Sequence, residues 1–144
     1  MLSPLTYWIL LFAVSGYAFA RGHLDERLAA VICIAATLIT WLFNSPLHER
    51  YSGVEIGVLA ADVLALVGFT VLALRSDRFW PLWVAGLQLT TTLSHVLKAI
   101  QIDLMPQAYA AAARFWVYPI FLIIVVGTWR SHQRRLSERR AKAT

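Results

Sequence analysis

Apolar residues gather into five stretches along the 144-residue chain, separated by short polar intervals. The first, Leu5 to Ala20, ends at Arg21-Gly22-His23-Leu24-Asp25-Glu26-Arg27, and the second, Leu28 to Phe43, ends at Asn44-Ser45-Pro46. Each is 16 residues long and would reach about 24 Å as a helix, a little short of a bilayer core. The third, Val54 to Leu74, is 21 residues and fully apolar in character apart from a few positions. Arg75-Ser76-Asp77-Arg78 then makes a tight polar turn, with Ser76 or Asp77 suited to capping the next helix and Pro81 falling in its first turn. The fourth stretch runs from Phe79 to Leu97, and the fifth, Ala-rich at first and carrying Arg114, runs from about 109 to 129. Pro119 inside the fifth is expected to kink it.

Stretches of this length predict an all-α integral membrane protein, a compact bundle of five transmembrane helices over residues 1–129 followed by a basic tail, 130–144. Composition points the same way: 59% of residues are hydrophobic and 15% charged, against about 25% charged in a soluble domain. Ala18-Phe19-Ala20 has the form of a signal-peptidase site, but no Lys or Arg precedes the first stretch, so it is expected to stay as a helix. With five spans, one side holds Arg21, Arg27, Arg75, Arg78 and the six basic residues after Trp129, and the other holds Arg50, Lys98 and Arg114. The excess places the C-terminus in the cytoplasm and the N-terminus outside, with a bacterial inner (plasma) membrane as the expected location. The six tail residues, Arg130, Arg134, Arg135, Arg139, Arg140 and Lys142, are expected to meet anionic lipid headgroups. The net charge of +5 is concentrated there, and no basic folded face or recognition module suggests nucleic acid.

Polar residues within the apolar stretches carry the remaining information. Gln88, Thr91, Thr92 and His95 recur every three or four residues, a stripe on one helix face that must meet protein or water. The turn at 75–78 makes the third and fourth stretches a hairpin, with Asp62 level with Thr91, Val58 with His95 and Glu55 with Lys98. At 1.5 Å per residue, Asp62 stands about 20 Å from the inner face, Arg114 about 24 Å and His95 about 25 Å, with Asn44 at a similar height. Asp62, His95 and Arg114 are therefore expected to converge in the outer half, with Gln88 and Thr91 lining the same interior. Beside Asp62, Gly53, Gly57, Ala61 and Ala65 repeat every four residues, a pattern for close helix contact, either within the chain or with a second copy.

No cofactor or metal is expected: His23, His48 and His132 lie in loops or the tail, which leaves His95 as the single intramembrane histidine, and no HExxH or Cys/His cluster occurs. Cys33 is the single cysteine. No nucleotide loop, nucleophile elbow or depth-matched Ser/His/Asp set is present. The function expected is that of a non-enzymatic accessory, scaffold or interaction subunit, in a homo-oligomer or larger membrane complex, its polar cluster fixing helix packing. The alternatives are a proton- or ion-coupled translocator or a binder of a small hydrophobic molecule using Asp62, and after these an intramembrane lipid-modifying enzyme.

Overall fold

The computed structural model describes residues 3–43, 51–100 and 115–144. They form five α-helices and no strand: α1 Pro4–Arg21, α2 Leu24–Phe43, α3 Tyr51–Arg75, α4 Trp80–Ile100 and α5 Val117–Ala143. Contacts run α1 to α2, α2 to α3, α3 to α4, α4 to α5 and α5 back to α1, with α2 also touching α5. The bundle is thus a closed ring with one cross-contact. Tyr7 packs on Phe121 with ring centroids 5.8 Å apart, and Arg21 reaches His132, so α1 and α5 run in the same direction.

Two tight turns set one end of the ring. At the α1–α2 turn, the Gly22 N–H bonds to the Ala18 carbonyl at 2.8 Å. A Cβ on Gly22 would collide with that same carbonyl oxygen and stand 2.8 Å from the Glu26 Cβ, so the reversal needs a residue without a side chain. His23 caps α2, and its N–H is accepted by Glu26 Oε2 at 2.7 Å, half of a capping box. Hydropathy alone leaves Asp25, Glu26 and Arg27 in a loop, whereas α2 includes all three. Acids are favoured in a first turn, where the helix N–H groups are unpaired. At the α3–α4 turn, Ser76 Oγ accepts the Arg78 N–H at 3.2 Å, and Pro81 occupies the second position of α4.

The core lies inside the ring. Leu11, Val14 and Ala18 of α1 pack with Ala29 and Ala30 of α2, Ala65, Phe69 and Leu72 of α3, Val84 of α4, and Ile120, Phe121 and Ile124 of α5. Large apolar side chains also point outward from every helix. Phe12, Leu38, Leu64, Leu89 and Leu122 are all exposed. Among the described residues, Leu24–Phe43 and Ile56–Arg75 are long and apolar enough to cross a membrane.

The fifth element runs past the expected end of its apolar stretch. Within the described residues it begins at Val117, behind Trp116 in helical backbone conformation, and continues without interruption to Ala143. Phe115 is helical, Trp116 is a turn and the helix resumes at Val117, so the helical backbone is interrupted next to Phe115, whose carbonyl has no N–H partner at Pro119. The basic tail is helical and forms the second half of this helix. Residues 109–114 of the expected span lie outside the described residues.

Candidate functional site

The α3–α4 hairpin brings Asp62, Gln88 and His95 together. Gln88 and His95 are seven residues apart, two turns along one face of α4, and they bracket the Asp62 carboxylate from above and below. His95 Nε2 lies 3.1 Å from Asp62 Oδ2, and Gln88 Nε2 donates to Asp62 Oδ1 at 3.1 Å. The same amide is 3.4 Å from the Asp62 carbonyl. Thr92 sits within this clasp, its hydroxyl donating to the Gln88 carbonyl at 2.9 Å, with the Asp62 carbonyl at 3.4 Å. Thr91 is buried and donates back to Leu87 O at 3.2 Å, so it lines the interior without touching the acid. Arg114, Asn44 and the side chains of Glu55 and Lys98 lie outside the described residues.

The small-residue stripe faces α2 of the same chain. Ala61 and Ala65 are buried, and a Cβ on Gly57 would stand 2.5 Å from Phe43 Cγ, so the Phe43 side chain of α2 lies directly on the glycine. The Gly53 position falls outside the residues whose surroundings are described. Of the tail residues, Arg130, Arg134, Arg139, Arg140 and Lys142 are exposed, whereas Arg135 folds back to donate to the Arg21 carbonyl.

Two polar groupings were not anticipated. In the first, the Tyr7 hydroxyl meets Thr37 Oγ1 at 2.7 Å, and Thr37 donates on to the Cys33 carbonyl at 2.8 Å. This chain of bonds joins α1 to α2. Tyr7 and Thr37 are isolated polar tips in otherwise apolar stretches, and periodicity does not flag them.

The second lies at the turn end. Arg78 Nη1 donates to Glu26 Oε1 at 2.7 Å and also to Ser131 Oγ. Glu26 is fully buried, and its other oxygen holds the His23 N–H. Asp25 Oδ2 accepts the Ser76 hydroxyl at 2.7 Å. This node ties the α1–α2 turn, the α3–α4 turn and the middle of α5 into one unit. The signal in the sequence was the acid at the third position of a helix, legible only once the helix start is known.

The chemistry available to Asp62 is that of a carboxylate with both oxygens engaged, beside an imidazole able to give or take a proton. Among the described residues no three His, Cys, Asp or Glu side chains gather closely enough to hold a metal ion. Comparison with protein families, with curated proteins and with solved structures finds no match for the chain.

Proposed function

We propose that the chain is a five-span protein of a bacterial inner membrane, N-terminus outside and C-terminus in the cytoplasm, serving as a non-enzymatic accessory or interaction subunit. One observation carries this: large apolar side chains are exposed along α1 to α4 and the first half of α5, while Glu26, Asp62 and Gln88 are bonded across helices. Lipid suits such an exterior, whereas water would not. Both oxygens of Asp62 are occupied, which is how an acid that locks helices is used. The expected consequence is that Asp62→Asn keeps the fold and any partner, because an amide still bonds to Gln88. Thermal unfolding in detergent would check it, with a shift within about 1 kcal/mol expected.

A second reading has one observation in its favour. The Asp62 and His95 side chains are 20% and 23% exposed, whereas Glu26 is sealed at 0%. A pair that is not sealed in the interior suits a proton site better than a fully enclosed lock does. Vesicles holding the purified protein under an imposed pH gradient separate the two. A lock predicts equal leak for the native chain and Asp62→Asn. A proton site predicts faster collapse by the native chain, lost in the variant because an amide does not titrate.

A further inference from the structure

The turn end carries three cationic or titratable side chains with no acid among them. Arg21 Nη1 is 2.8 Å from His132 Nε2, and Arg135 donates to the Arg21 carbonyl. Arg135 Nε is buried with no acceptor. Of the nearby acids, Glu26 is committed to Arg78 and Asp25 to Ser76, while Glu138, one turn beyond Arg135, is exposed and forms no ion pair with it. No carboxylate among the described residues stands within ion-pair distance of Arg21, His132 or Arg135. Two fixed positive charges are therefore held at the end of α1 with no counter-charge in ion-pair distance among the described residues. A buried donor left unmade is costly, most of all on a charged group.

We propose that Arg21, His132 and Arg135 form a binding site for the phosphate of an anionic phospholipid at the cytoplasmic rim. The assignment rests on the membrane reading above and adds to it a defined site where the tail alone offered diffuse charge. The exposed Arg21 fork matches two oxygens of one phosphate, and the Arg135 guanidinium beside the Arg21 carbonyl adds a second fixed positive charge. His132, 2.8 Å from Arg21 Nη1, fixes the position of that guanidinium beside the site. The source is a lipid and not free phosphate because of what surrounds the site. Phe19, Leu24 and Trp129 are all exposed within one turn of Arg21 or His132, placed to lie against acyl chains. Trp is also the residue most at home at headgroup depth.

The test compares two variants that lose the same charge: Arg21→Gln with Arg135→Gln, and Arg139→Gln with Arg140→Gln. Native mass spectrometry in detergent would follow retention of added dioleoylphosphatidylglycerol, with dioleoylphosphatidylcholine as control. One phosphatidylglycerol is expected on the native chain and on the 139/140 variant. Its retention should fall about tenfold or more in the 21/135 variant, which removes two charge-assisted hydrogen bonds to the phosphate. Arg135→Gln alone, which alters a side chain beyond the ring, gives the same sign if the double variant misfolds. Equal losses in both pairs would overturn the site and leave the membrane reading intact. Direct binding of inorganic phosphate to lipid-free protein, with no preference for phosphatidylglycerol over phosphatidylcholine, would overturn the lipid assignment. Protein that remains in water after detergent removal would overturn the membrane reading itself.

Discussion

Glu26 and Arg78 illustrate how much rests on single side chains in this fold. The carboxylate is fully enclosed, while Arg78 remains 27% exposed. Removing either partner strands the other, but the two losses are unequal. Arg78→Ala leaves a sealed charge without a counter-ion, which costs about 3–5 kcal/mol in comparable pairs. Glu26→Ala leaves an arginine that can turn to water, and about 2 kcal/mol is expected from the lost charged hydrogen bonds. Thermal unfolding in detergent should rank Arg78→Ala below Glu26→Ala, with the double variant less damaged than the two losses added. An additive double variant would show that the two side chains do not depend on each other. Neither residue was legible as a site in the sequence. Both read as loop charges at a membrane face, because a hydropathy window excludes an acid that the helix start in fact recruits. Asp62 was legible for the opposite reason, as an acid at the centre of an apolar run has no unremarkable explanation.

At the level of elements, hydrophobic runs located α1 to α4 closely, since helix length in each is dictated by the apolar stretch and a polar stop. The hairpin register was legible too: Gln88 and His95 lie on either side of the level expected for Asp62. What hydropathy did not carry was the far end of α5, which continues through the basic tail to Ala143. The partner of the small-residue stripe was also undecidable, since spacing shows a close approach and not what approaches. Glycine substitutions test that packing. Gly57→Ala must push the Phe43 side chain, and with it the end of α2, out of contact, so a loss of about 1–3 kcal/mol is expected. Gly86, in α4, has open space where a Cβ would stand, with nothing within 4 Å, and Gly86→Ala should stabilise by about 0.5–1 kcal/mol. Thermal unfolding of the pair reads both signs, and a stable Gly57→Ala would mean that α2 does not press on α3 at this point.

For the whole molecule, the ring is pinned at the turn end by Glu26, Arg78 and Ser131 and further along by Asp62, Gln88 and His95, and α5 extends beyond it as a basic helix. Neutralising Arg134, Arg139 and Arg140 together should reduce retention on anionic vesicles without changing helical content, because these side chains are exposed. A loss of helix on that change would show that the extension depends on its charge to fold. The central claim is that five helices cross the membrane with this extension in the cytoplasm. Labelling with a membrane-impermeant maleimide on a Cys33→Ala background tests it most directly, with Ser3→Cys, Ser52→Cys and Ser137→Cys made one at a time. Ser3→Cys and Ser52→Cys should react in intact cells, and Ser137→Cys only after permeabilisation. Reaction at Ser137→Cys from the outside would contradict the five-span arrangement.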